Sequence, residues 1–253
     1  MRLRNFFINT EDVDNLYKST VGVTCGNKCG GNGVNIINNV FVDCSCMREY
    51  QNKLGYLEAN IPEKYWDFTL RNLTGEFIKE NKMGLTVLQK YREKIDGDVI
   101  NFGLGLYIQG SVGLAKSALA YHTLKHALNK NLISYSIRLS SLTKLIFDSL
   151  KDTRARQQLD WIKMHVQIFM IDEIEKDYKV GSLDQFAGIQ LNEFFSMLYE
   201  KKKALIITSN IPKSELRNIH ADNVVDRLEE LVDIVFTGQS FRKPNIALNT
   251  LME

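Results

Sequence analysis

Three groups of residues have the types and spacing to do chemistry. The first is Gly110-Ser111-Val112-Gly113-Leu114-Ala115-Lys116-Ser117, a run of small residues ending in Lys-Ser. A triphosphate needs several backbone N–H donors turned inward, and small residues let the backbone come close. The run follows an apolar stretch of strand character, Gly105–Ile108, and opens a helical one, Lys116–Asn129, which is the context a phosphate loop requires. Lys116 is placed to neutralise the β- and γ-phosphates of ATP, and the Ser117 hydroxyl to ligate Mg²⁺. The residue before such a lysine is usually Gly, and here it is Ala115. A Cβ costs little at position 115 if the residue has helical φ/ψ, because glycine's advantage lies at φ > 0.

The second group is acidic and polar. Val166–Ile171 is an apolar strand ending in Asp172-Glu173. Strand C-termini in open α/β sheets are where ligands bind. Asp172 is expected to hold Mg²⁺ through its water shell, and Glu173 to polarise the attacking water. Ala204–Thr208 is a further strand with a polar tip, Thr208-Ser209-Asn210, and Asn210 is expected to sense the γ-phosphate or orient the water. The competing reading of Ser209 and Asn210 is a helix cap before Pro212.

The third group is Cys25, Cys29, Cys44 and Cys46, all within one short Gly- and Asn-rich window. Four thiolates suit tetrahedral Zn²⁺, and Gly26, Gly30 and Gly31 let the chain turn around a metal. So short a segment buries too little apolar surface to fold alone, so metal would supply its stability. The spacing departs from the common CxxC…CxxC form. The four histidines suggest no metal site: His122 and His126 are read as surface residues of the helix after the phosphate loop.

The elements that must position these groups follow from pattern. Val40–Val42 reads as a strand and Cys46–Leu57 as a helix. Ile61–Asn72 is aromatic and irregular, Thr74–Lys94 is helical, and Asp96-Gly97-Asp98 is a turn. Beyond residue 103, apolar strands (Leu132–Arg138 among them) alternate with helices over Ser140–Asp152 and Gln185–Lys201, and Ile234–Phe236 is a last short strand. Such alternation predicts an α/β fold with a parallel central sheet and helices on both faces. Residues 1–57 are expected to form the cysteine module, 58–100 a linking segment and helix, and 101–253 the nucleotide domain.

With these residues together, the chain resembles AAA+ ATPases, and more narrowly the bacterial and phage helicase loaders of the DnaC and DnaI type, with the related IstB transposition ATPases. The segments that carry the resemblance are IPEKYWDFTL, LYIQGSVGLAKSALAYHTLKHAL, FMIDEIEKD, IITSN and VVDRLEELVDIVFTGQSFRK. The MCM helicases and MoxR-type ATPases likewise carry Ala before the lysine. The resemblance implies that Arg227 is an arginine finger acting on the nucleotide of a neighbouring subunit, hence a homo-oligomer, and that Arg242 is a second sensor arginine. A planar guanidinium suits both tasks. It implies that a helical insertion over Leu139–Arg156 touches single-stranded DNA, with Lys144 and Lys151 meeting phosphates. Lys176, Tyr178 and Lys179 combine charge with a ring on which a base can stack. It also implies an N-terminal zinc module that docks on a hexameric replicative helicase. The function expected is ATP-dependent loading of that helicase, with ATP hydrolysed slowly in the absence of partner or DNA. An IstB-like transposition ATPase and a nucleotide-gated adaptor with little hydrolysis are the alternatives.

Composition bounds these readings. The chain has 253 residues, 44% of them hydrophobic and 25% charged, with a formal net charge of +2. So small a charge supplies no global attraction for nucleic acid, and DNA contact must come from local patches. No apolar run reaches membrane-spanning length, and the start has no apolar core of a signal peptide, so a cytoplasmic chain with reduced thiols is expected.

Overall fold

A computed structural model of the protein describes residues 8–26, 28–175, 184–216 and 222–241. The chain begins with helix α1 (Thr10–Thr20), N-capped by the Asn9 side chain, and a two-stranded hairpin, β1 (Val34–Ile37) and β2 (Val40–Asp43). Asn38 and Asn39, both at positive φ, form its tip, the backbone a tight two-residue hairpin turn needs. Helix α2 (Ser45–Glu58) follows and is fastened to the sheet at its end: the Asn60 amide donates to Ser136 O, and Ser136 N donates back to Ala59 O.

The helix expected over Thr74–Lys94 is two helices, α3 (Gly75–Glu80) and α4 (Lys82–Glu93). The break is at buried Asn81, whose side chain leaves the helical pattern to bond both Thr237 N and Thr237 O. The expected turn at Gly97 is a kink between α4 and the short turn α5 (Ile100–Phe102).

Beyond residue 103 strands and helices alternate as expected, with α8, α10 and α11 in addition: β3 (Leu106–Gly110), α6 (Lys116–Asn129), β4 (Ser134–Arg138), α7 (Leu139–Asp148), α8 (Thr153–His165), β5 (Ile168–Asp172), α9 (Asp184–Glu200), β6 (Ala204–Ser209), α10 (Lys213–Leu216), α11 (Asp222–Leu228) and β7 (Val232–Phe236). The five strands β3 to β7 form one parallel sheet in the order β4-β5-β6-β3-β7. Alternate strand residues feed two cores. Tyr107, Phe169, Ile171 and Ile207 face the core shared with α7, α8, α9 and α11. Ile108, Ile168, Met170 and Ile206 face the core shared with α4 and α6. Helices therefore cover both faces, and the strands are apolar on both sides.

Segment 58–100, expected to lead into the nucleotide domain, contributes Ala59, Ile61, Leu73, Phe77, Leu88, Tyr91, Ile95 and Val99 to the second core. The single helix expected over Ser140–Asp152 ends at Asp148, and Asp152 instead caps α8 by accepting from Arg154 N and Ala155 N. Leu150 falls in this break and is exposed. Among the described residues no helix is long and apolar enough to cross a membrane.

Candidate active site

The sheet brings the first two groups together at the C-terminal ends of β3, β5 and β6. Gly110 leaves β3 with φ 150, packed so closely that a Cβ would collide with Phe236 O. Gly113 has φ 88, and a Cβ there would collide with Ser240. The loop is roofed by the segment after β7, where Phe241 N donates to Gly113 O at 2.9 Å.

Ala115 has φ 55 and ψ 15. The condition of helical φ/ψ, under which a Cβ at this position costs little, is therefore not met. The backbone turns left-handed to swing from the loop into α6, and a non-glycine residue is strained there. The glycine usual at this place is explained by the same turn.

Lys116 is 7% exposed. Its ammonium donates to Gly110 O at 2.6 Å, Ser111 O at 2.8 Å and Asn210 Oδ1 at 2.8 Å. Ser117 Oγ donates to Asp172 Oδ1 at 2.7 Å, and Thr208 Oγ1 donates to the same oxygen at 2.5 Å. Asp172 Oδ2 accepts from Tyr121 at 3.5 Å. Burial, reinforced by the Asp172 charge, raises the Tyr121 phenol's pKa, so it stays a donor. Glu173, at φ 56, is the second left-handed residue of the site, and its N–H donates to Thr208 Oγ1 at 3.1 Å. Backbone strain of this kind persists where the surroundings over-determine it.

A cavity of about 270 Å³ opens on this network, lined by Gly113 to Ser117, Glu173, Thr208 and Asn210 on one side. Its other wall is Tyr65, Phe68, Asn72, Leu73 and Phe241. Sequence reasoning gave these wall residues no role, although the aromatic density of Tyr65-Trp66-Asp67-Phe68 was visible. It also missed Glu175, whose Oε1 accepts from the Asn210 amide while its Oε2 is buried with no hydrogen-bond partner. Asn210 is thus held between an acid and the Lys116 ammonium. Its side chain faces the cavity, and Ser209 Oγ accepts from Ile211 N, so the polar tip serves the site and the loop together.

Arg227 does not line this cavity. It lies on α11 and its Nη1 donates to Asn192 Oδ1 on α9 at 2.7 Å. Arg242, Lys176, Tyr178 and Lys179 lie outside the described residues. Lys144 and Lys151 are exposed, on α7 and in the break after it. Arg156 closes that break, its Nε donating to Ser149 O at 3.1 Å. His122 and His126, expected on the helix surface, are both part-buried; His126 Nε2 is 3.1 Å from Arg92 O.

The cysteines form the third group. All four are buried, none is in a disulfide, and their Sγ atoms lie within 4.8 Å of one another. Cys25 and Cys29 Sγ are 3.6 Å apart, and Cys29 and Cys46 Sγ 3.5 Å. A tetrahedral set of sulfurs about 2.3 Å from one Zn²⁺ would be roughly 3.8 Å apart, so the four donors fit. Gly26 and Gly30, each at φ 59, make the turns beside Cys25 and Cys29, and Gly33 N donates to Cys29 Sγ at 3.3 Å. The Cys46 backbone N–H, above all, pulls the Cys44 thiol down to about 6, toward the thiolate that binds metal. Apart from the cysteines, the cluster's buried apolar content is Val21, with Met47 and Tyr50 packed against it.

Fold and loop together define a protein of the AAA+ ATPase fold. The solved structures most informative about it are a DnaC helicase loader (21% identity, TM-score 0.57, covering 70% of this chain and 100% of that one) and DnaI (19%, 0.56, 70% and 94%). A third is the replication initiator DnaA bound to AMPPCP and single-stranded DNA (20%, 0.56, 70% and 51%). The resemblance to the DnaC and DnaI group read from the motifs is thus present in the fold. The chain spans about half the length of the replication initiation factor and DnaA structures it matches, 49% and 51%. No protein-family model matches the chain, and no curated protein matches its sequence.

Proposed function

We propose that this chain is an ATP-dependent loader of a hexameric replicative helicase onto single-stranded DNA. The observation that carries the reading is the convergence of Lys116, Ser117, Asp172 and Asn210 in one hydrogen-bonded network at a left-handed loop. In this reading the Lys116 ammonium leaves the Gly110 and Ser111 carbonyls and donates to the β- and γ-phosphates instead. Ser117 and, through the ion's water shell, Asp172 would hold Mg²⁺, which would supply charge neutralisation at the phosphates. Glu173 orients the attacking water and Asn210 reports the γ-phosphate. Backbone N–H groups and the start of α6 stabilise the developing charge. Arg227, which does not line its own cavity, serves the site of a second copy, and Arg242 is assigned the second sensor role.

The other assignments follow the same reading. Cys25, Cys29, Cys44 and Cys46 hold a structural Zn²⁺. The hairpin beside them exposes Ile36, Ile37, Val40 and Phe41, the last 77% exposed, an apolar tip suited to a protein partner. Lys144 and Lys151, with Lys176, Tyr178 and Lys179, meet DNA.

The test is co-purification and sizing with the cognate hexameric helicase. A complex formed with ATP, lost in Lys116→Ala and retained in Glu173→Gln without turnover, is the expected result. No complex with or without ATP removes the loader reading. ATP-driven filaments on double-stranded DNA instead would favour the IstB-like alternative. A helicase complex whose formation needs ATP, but in which Glu173→Gln turns over no less than the wild type, would favour the nucleotide-gated adaptor.

A further inference from the structure

Lys125 lies on α6, nine residues beyond Lys116, and is 7% exposed. Its ammonium donates to three backbone carbonyls of one segment: Tyr65 O at 2.9 Å, Trp66 O at 2.7 Å and Phe68 O at 2.7 Å. All three donors of the ammonium are thereby used. The Tyr56 ring lies 5.6 Å from it. Burying an ammonium is costly unless it is fully bonded. The segment it bonds follows a single 3₁₀ turn, Glu63–Tyr65, whose last carbonyls have no helix to continue into. An apolar residue at 125 would take the ammonium from the part-buried Trp66 and Phe68 carbonyls and leave Tyr65 O with the Phe68 N–H alone.

The same segment makes the wall of the 270 Å³ cavity that faces the phosphate loop: Tyr65 and Phe68 line it. Tyr65 stacks on Tyr121 of α6 at 4.6 Å between ring centres, and Phe68 meets His122 edge-on at 6.2 Å. The aromatic wall therefore hangs from the helix whose first turn ends the phosphate loop. One rigid element sets the distance between the wall and the phosphates, and Lys125 is the tie.

We infer that Lys125 is a positioning residue for the nucleobase, holding Tyr65 and Phe68 at the depth where they take the ring of a bound nucleoside triphosphate. This rests on the reading of the cavity as a nucleotide site. Because the tie acts on the wall and not on the loop, its loss should weaken a nucleotide and spare a ligand that is phosphate alone.

The experiment compares ATP with inorganic tripolyphosphate, both with Mg²⁺, by calorimetric titration of the full chain and of Lys125→Met and Lys125→Gln. We expect ATP affinity to fall roughly tenfold in Lys125→Met, the scale of one lost aromatic platform, and by less in Lys125→Gln. Tripolyphosphate affinity should not change, and Lys125→Arg should restore ATP binding. Lys125→Gln keeps a donor for the carbonyls, so the test does not depend on the methionine variant folding. Equal losses for both ligands, or none for either, overturn the inference, since a purely structural lysine would not split them. Failure of the wild type to bind tripolyphosphate would instead remove the phosphate-loop reading itself.

Discussion

Ala115 stands at φ 55, in a left-handed turn imposed by the loop's closure between β3 and α6. A non-glycine residue there costs about 1–2 kcal/mol, partly offset because glycine loses more entropy on folding. Ala115→Gly should therefore stabilise the chain by about 0.5–1 kcal/mol, a rise of roughly 2 °C in Tm. Differential scanning calorimetry decides it, and a lower melting temperature for the glycine variant would show the turn to be unstrained. Lys116, Ser117, Asp172 and Asn210 were legible in the sequence because each ends or begins a strongly patterned element. Glu175 was not, since only the folded chain brings it to Asn210 across 35 residues of sequence.

At the scale of elements, periodicity located β2 to β7 to within two residues or so, missed β1, and missed the breaks. α3 and α4 separate because Asn81 bonds Thr237, 156 positions away, and no local pattern encodes that. The break between α7 and α8 was encoded, in Asp152 as an N-cap, but a capping residue inside an apolar period reads as continuous helix. Helix α6 offers a prediction of its own. His122 borders an apolar cavity of about 250 Å³ with Leu85, Leu88, Leu119 and Arg92. Burial first, then the charges of Arg92, Lys125 and His126, lower its pKa from 6.5 to about 4. Between those values the unfolded chain binds the proton that the folded one refuses, so stability rises with pH there. This contribution is present above the ordinary histidine value of 6.5 and is lost as pH falls toward 4. Urea midpoints measured at pH 7 and pH 5 should diverge more for the wild type than for His122→Gln. Equal divergence in the two proteins would mean that His122 is protonated in the fold.

For the whole molecule, strand order was legible only as a class. Alternation requires a parallel sheet, but β4-β5-β6-β3-β7 is decided by which strand ends must meet around the loop. The cysteine module presents the opposite case: its donors were readable, and what they imply depends on how little else holds it. With Val21, Met47 and Tyr50 as its apolar companions, the cluster has almost no hydrophobic core. The sheet has two, and α2 is tied to it at Ala59 and Asn60. Metal loss should therefore unfold the region around Cys25 to Cys46 and leave the nucleotide domain intact. Structural zinc is worth about 10 kcal/mol or more in small metal-folded peptides, more than so small an apolar cluster supplies. The purified chain should carry one zinc per molecule, released when a mercurial titrates four thiols. Chelation should then expose the hairpin to protease while ATP affinity stays within about twofold, 0.4 kcal/mol being the corresponding difference. A native chain with four freely reactive thiols and no metal would mean that the cysteines pack as small apolar residues. Loss of ATP binding on chelation would mean that the tie at Ala59 and Asn60 transmits the module's state into the sheet.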